Sequence, residues 1–166
     1  MSAEQTIMAG SVLKAVGEEW RHLVAGQEGF LVGRKRAGLL RQNVVWGEMD
    51  RMPMTWPDHI SVFHKLSYLP STTEFSFVLE VMIISELHQR PAARCVEDIV
   101  VYDYKKGKKT TIKPFMMKAF EQTWAEQQAE TARVEKRIKE LDSIVREIEQ
   151  NTWDREDALE DMGQVR

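Results

Sequence analysis

The segment Val44-Val45-Trp46-Gly47-Glu48-Met49-Asp50 carries the groups best placed to move a proton. Side chains alternate between the faces of an extended strand, so Val44, Trp46, Glu48 and Asp50 project together, with two carboxylates beside an indole ring. A carboxylate half-shielded by an aromatic ring binds its proton more tightly and can act as general base or nucleophile. Acidic residues that close a strand are also commonly solvated, and the spacing leaves both readings open.

Other chemistries find less support. The four histidines, His22, His59, His64 and His88, lack metal-ligand spacing, and His59 and His64, five apart on a predicted strand, point to opposite faces, so no metal is expected. The single cysteine, Cys95, falls in mid-strand with no histidine nearby in sequence, the setting of a small buried apolar residue. No Gly-x-Ser-x-Gly elbow occurs. Gly29, Gly33 and Gly38 punctuate the basic run Arg34-Lys35-Arg36, with Arg41 beyond, in a spacing that is neither a dinucleotide fingerprint nor a P-loop. That run reads as a solvated loop whose cations are also able to meet a phosphorylated ligand such as the adenosine phosphates of coenzyme A.

Positioning these groups falls to three zones of different texture. Residues 1–41 are helix-like with a basic loop, residues 42–113 are strand-like, and residues 114–166 are helical and highly charged. In the first, Leu13, Val16, Trp20, Leu23 and Val24 paint one face of a helix from Ser11 to Ala25, with Ser11 as N-cap and Gly26 as stop. In the second, strands are predicted at Gln42–Asp50, His59–Leu69, Phe75–Ile84 and Ala93–Tyr104, with a turn at Lys105–Lys108 and a short return at Lys109–Ile112. Phe75, Phe77, Leu79, Val81 and Ile83 alternate without a break while Val78, Met82 and Ile84 make the other face apolar, so the third strand is expected at the centre, covered on both sides.

The third zone has the clearest periodicity. Phe120, Trp124, Gln127, Thr131, Val134, Ile138, Leu141, Val145, Ile148 and Thr152 alternate in steps of four and three, a heptad seam behind Pro114 in a first helical turn. Such a helix extends on the order of 55 Å at 1.5 Å per residue, too far to bury its whole seam on a four-stranded sheet. The seam is therefore expected to meet a second copy of the chain or a partner protein through residues 120–152.

Composition narrows the classes. The chain has 166 residues, 43% hydrophobic and 30% charged, room for one ordinary core. Lys and Arg number 23 against 26 Asp and Glu, a net charge of −3 that argues against a dedicated nucleic-acid binder. No run approaches the ~18 apolar residues of a membrane span, and Met1–Gly10 has neither a basic cluster nor an apolar core of a leader. A single cysteine excludes an internal disulfide, so an intracellular location, cytoplasmic or mitochondrial, is expected.

Val44–Asp50, followed by Val101-Tyr102-Asp103-Tyr104-Lys105-Lys106-Gly107-Lys108 and Thr152-Trp153-Asp154-Arg155, resembles the fungal branch of the 4-hydroxybenzoyl-CoA thioesterase-like hotdog family over Val12 to Gly163. The resemblance implies an antiparallel sheet around a long central helix, dimers paired sheet to sheet, and metal-free hydrolysis of acyl-CoA thioesters, with coenzyme A present only as part of the substrate. It makes Asp50 the nucleophile or general base, with Glu48 beside it. The thioester oxygen is then held by amides at the start of the central helix. Where the family continues Gly-His-Val-Asn-Asn, this chain reads Asp50-Arg51-Met52-Pro53-Met54-Thr55-Trp56-Pro57-Asp58, and Trp56-Pro57-Asp58 resembles the lead into the family's third strand. The central helix and second strand are thus missing near Met52–Pro53. The expected fold is α+β: an incomplete hotdog-like antiparallel sheet with an N-terminal helix and a long C-terminal heptad helix. Two functions follow, an acyl-CoA thioester hydrolase or a non-catalytic interaction protein acting through its heptad helix.

Overall fold

A computed structural model describes residues 2–33, 41–45 by their backbone, and 58–154. The described elements are helix α1 (Ala3–Ala25), strands β1 (Arg41–Val45), β2 (His59–Leu66), β3 (Ser76–Ser85), β4 (Arg90–Val100), β5 (Tyr102–Asp103) and β6 (Lys108–Lys109), and helix α2 (Pro114–Gln150). The chain is α+β, as expected, and consistent with an incomplete hotdog fold. Thirteen residues, 46–58, separate β1 from β2, fewer than a helix of about 11–12 residues and a strand of about 5–6 together require. Two compact units are present: residues 1–20 with 135–166, and residues 21–134.

In the larger unit the sheet runs β1-β2-β3-β4, every neighbouring pair antiparallel. β3 is flanked on both sides, and its adjacent, oppositely facing Val81 and Met82 are both buried, as are Ile84 and Ser85; its first half is only half-buried. The predicted fourth strand breaks at Val101, whose N–H is taken by the Phe75 carbonyl and whose carbonyl accepts from Thr110 N–H. The return strand is only Lys108–Lys109, closed by a turn in which Asp103 Oδ1 accepts from the N–H of Lys105 and Lys106 and Gly107 adopts φ +62°. Cys95, expected buried, is exposed, because β4 has, among the described strands, a neighbour on one side only and carries six consecutive exposed residues, Ala93–Asp98.

One side chain ties α2 to this sheet. The described β1 pairing ends at Phe63, and beyond it Leu66 N–H donates to Gln127 Oε1 at 2.9 Å while Gln127 Nε2 donates to the Leu66 carbonyl at 3.1 Å. A buried amide here supplies the donor and acceptor that a neighbouring strand would offer. Phe77 and Phe120 meet with ring centroids 4.8 Å apart and planes tilted by 47°, and Val134 packs against Gly26, where a Cβ would lie 2.9 Å from Val134 Cγ2. Gly29, at φ +87°, lets the chain turn beside Thr131 and deliver Phe30 into the core.

In the smaller unit the first part of α1 and the last part of α2 lie antiparallel. Gln5 Nε2 donates to the Asn151 carbonyl at one end, and Arg137 grips Glu19 with two hydrogen bonds, 2.8 and 3.0 Å, at the other. α1 starts at Ala3, eight residues before the predicted start, because Ser2 and Gln5 form a reciprocal capping box; Ser11 sits in mid-helix with its hydroxyl on the Met8 carbonyl. The stripe turned inward is also different. Gln5, Met8, Val12, Ala15 and Glu19, in steps of three and four, are half-buried, whereas Leu13 and Val16 of the predicted face are exposed. Leu141 and Ile148 of the heptad seam are buried in this unit.

Candidate functional site

The residues singled out for chemistry, Asp50 and Glu48 with Trp46, and the basic run Arg34, Lys35 and Arg36, lie outside the described residues. The nearest described position to the carboxylates in sequence is Val45, which closes β1 opposite His59. The end of the sheet where β2 begins and β3 finishes is therefore the described ground next to the candidate segment in chain order.

Two carboxylates are fixed there. Asp58, buried just before β2, accepts from Ser85 Oγ at 2.5 Å and from Leu87 N–H at 3.0 Å. Burial pushes its proton affinity up, but the hydrogen bonds from Ser85 and from the N–H groups of Leu87 and His59 outweigh it and hold Asp58 below the usual carboxylate range. His88 donates its backbone N–H to Ser85 Oγ at 3.0 Å. Serine, histidine and aspartate are all present, but the hydroxyl hydrogen points at the carboxylate rather than at an imidazole, and Ser85 is wholly buried. This is an anchor between the start of β2 and the β3–β4 turn, without the proton relay of a nucleophilic triad. Beside it, Glu86 receives both Nε and Nη2 of Arg21 and the Ser61 hydroxyl at 2.5 Å. A carboxylate so surrounded by donors is tied into the fold by charge-assisted hydrogen bonds. Sequence reasoning missed both anchors: Ser85-Glu86 directly after an apolar run is their one local signal, and their partners are 27, 25 and 65 residues away.

A third cluster joins Glu130, His22 and Arg133, with Glu130 Oε1 3.1 Å from His22 Nδ1 and 2.6 Å from Arg133 Nη2. Arg133 beside it holds Glu130 below the usual carboxylate range, against the opposing effect of burial and with help from His22. A basic surface lies on the β5–β6 hairpin and its exit, where Lys105, Lys106, Lys108, Lys109 and Lys113 are exposed, as are Tyr102 and Tyr104, whose rings meet at 5.2 Å. Sequence reading took this stretch as a turn with a short return and as part of the family resemblance, without assigning its lysines a role. Among the described residues no group of three His, Cys, Asp or Glu is arranged to hold a metal ion, and no described helix is long and apolar enough to cross a membrane. An open cleft of about 240 Å³ is lined by Glu4, Gln5, Met8, Glu147, Ile148 and Asn151, all within the smaller unit.

No curated protein and no solved structure gives a significant match to this chain. The model of the thioesterase-like superfamily does match, over residues 51–120, a stretch that begins one residue after Asp50 and takes in β2 to β6 and the opening of α2.

Proposed function

We infer that the chain acts as a thioesterase of the hotdog type on acyl-CoA thioesters, and that Asp50 is its nucleophile or general base. The observation that carries this reading is the thioesterase-like superfamily match, which coincides with three strands of the described sheet. Asp58 and Glu86 are committed to holding the fold, so the reacting carboxylate must come from elsewhere. Glu48 and Asp50 follow three and five residues after Val45. In the proposed reaction Asp50 takes a proton from water, the oxygen attacks the thioester carbon, the C–S bond breaks, and the departing thiolate takes that proton back from Asp50, leaving free acid and coenzyme A thiol. Glu48 modulates the proton affinity of Asp50, and Arg34, Lys35 and Arg36 meet the coenzyme A phosphates. The reaction needs no metal and no cofactor beyond the coenzyme A carried by the substrate. The narrower placement, in the fungal branch of the 4-hydroxybenzoyl-CoA thioesterase-like family and in an intracellular compartment, belongs to the same proposal. Hydrolysis of a panel of acyl-CoAs by the native chain and by Asp50→Asn tests it. Turnover lost in the variant is the expected result; background rates from both proteins refute it.

One observation favours a second reading, a non-catalytic interaction protein that self-associates or binds a partner through residues 120–152. The thirteen residues between β1 and β2 leave too little chain for the helix whose amides would hold a thioester oxygen together with the strand that follows it. Light scattering reads this directly, and a single-chain mass at every concentration, with no partner retained on the helix, removes it.

A further inference from the structure

We propose that the β5–β6 hairpin and the opening of α2, both in the larger unit, form a surface that docks on an anionic lipid bilayer, with lysines among the headgroups and aromatic side chains at the acyl boundary. This surface shares no residue with the Asp50 segment, the basic run 34–36 or the seam 120–152. It stands whether or not the chain hydrolyses thioesters.

From Tyr102 to Lys118 the chain carries six lysines, Lys105, Lys106, Lys108, Lys109, Lys113 and Lys118, against one carboxylate, Asp103, a local net of +5 in a chain whose total is −3. All six are exposed and none has an ion pair among the described residues, whereas Lys65, Arg94, Arg133, Arg137 and Arg146 each hold a carboxylate. Asp103 is engaged in the turn, where its Oδ1 accepts from the N–H groups of Lys105 and Lys106. Cations gathered so closely repel one another, and a run left unneutralised within the fold gains most from an anionic surface outside it.

Apolar groups share this end of the sheet. Three backbone hydrogen bonds stitch the hairpin and its exit onto it: Val101 N–H to the Phe75 carbonyl at 2.8 Å, Ile112 N–H to the Glu74 carbonyl at 3.0 Å, and Thr110 N–H to the Val101 carbonyl at 3.0 Å. Ile112 is buried and anchors the chain three residues ahead of Phe115. Phe75, Tyr102, Tyr104 and Phe115 are thereby held on one base, all four exposed, Tyr104 to 90% and Phe115 to 71%. A single exposed ring is ordinary, but four beside six unpaired lysines make the combination by which a peripheral protein sits in a headgroup layer. The chemistry of the patch favours lipid over nucleic acid. Every cation in it is a lysine, a compact hydrated charge without the planar fork that grips individual phosphates. The rings of Tyr102 and Tyr104 meet edge to face at 62°, which occupies a face that a stacked base would need.

The test uses the full chain and vesicles of phosphatidylcholine, alone or mixed in equal parts with phosphatidylserine, read by co-sedimentation. Retention on the mixed vesicles that falls as salt rises, with weak retention on phosphatidylcholine alone, is the expected result. Each lysine beside an anionic surface changes partitioning by about fivefold, so Lys105→Gln with Lys106→Gln is expected to lower binding on the order of twentyfold, a deficit that narrows in high salt. Tyr104→Ser is expected to lower it severalfold at every salt concentration. Lys113→Gln with Lys118→Gln repeats the charge measurement away from the Asp103 turn, should the first pair of substitutions disturb that turn. Equal retention on both kinds of vesicle or on neither, charge variants or a Tyr104→Ser chain that bind like the native protein, or a single-stranded RNA of mixed sequence that binds more tightly than the mixed vesicles and displaces them, overturns the proposal.

Discussion

Replacing Gln127 offers the sharpest test of how α2 is fixed to the sheet. Its amide closes two hydrogen bonds on Leu66 in a site that is 3% exposed, so Gln127→Met, similar in volume, strands a buried N–H and a buried C=O. Each unsatisfied group costs about 1–3 kcal/mol, so a loss on the order of 2–4 kcal/mol is expected once the better burial of the thioether is set against it. Gln127→Glu separates the two bonds. A protonated carboxyl can accept from Leu66 N–H and donate to the Leu66 carbonyl, whereas a carboxylate can only accept and is buried as a charge. The folded-state proton affinity of the introduced carboxyl is thereby raised above the unfolded value of about 4.3. Its neutral form is the one the fold favours, so the variant is close to native below that pH and loses stability progressively as pH rises through it. Urea unfolding at pH 4 and pH 7, monitored by the same tryptophan signal, reads both effects. A Gln127→Met variant within about 0.5 kcal/mol of native, or a Gln127→Glu deficit equal at both pH values, refutes the strand-surrogate account.

Asp58→Asn weakens the contact with Ser85 and Leu87 and is expected to cost about 1.5–3 kcal/mol at pH 7. Because the Asp58 folded-state value lies below its unfolded one, the native advantage is present above pH ~4 and fades as pH falls through the folded value, so the two denaturation midpoints should converge in acid. Gly26→Ala places a methyl 2.9 Å from Val134 Cγ2 and 3.0 Å from Glu130 Oε1, and thermal unfolding should drop by an amount equivalent to about 1–3 kcal/mol. Arg137→Ala removes a pair about a third exposed on each side and is expected to lower stability only slightly, in a denaturant titration whose difference shrinks in 1 M salt.

The strands were legible where period-two alternation ran long, as from Phe75 to Ile84, and α2 was legible because ten residues kept the three-four rhythm. What α2 packs on was not. The inward stripe of α1 along α2 is built of Gln5, Met8, Val12, Ala15 and Glu19, small or polar groups that Leu13 and Val16 outshine in any count of apolar residues. Cys95 illustrates a second blindness: strand periodicity says which face a residue takes and nothing about whether its strand lies at an edge. Gln127 was counted into the seam for its position, and its bonds to Leu66, 61 residues away, have no local signature. For the site, the superfamily match bears out the coarser part of the thioesterase likeness, while the Asp50 segment lies outside the described residues. The anchors at Asp58 and Glu86 depend on side chains brought together by folding.

The polar contacts at the two ends of the α1–α2 pair have a consequence for specificity. Gln5 and Glu19 are fourteen residues apart, and so are their partners Asn151 and Arg137, so both contacts report the same antiparallel alignment. Heptad packing by itself tolerates a slide of seven residues, since apolar layers recur at that interval. Sliding one way would set Glu19 against Ile144, stranding its charge on an aliphatic side chain; sliding the other way would bring it to the level of Glu130, a like charge. The two pairs thus work as the marks of a vernier, each weak in energy, jointly admitting one alignment of two helices whose grease alone could not choose.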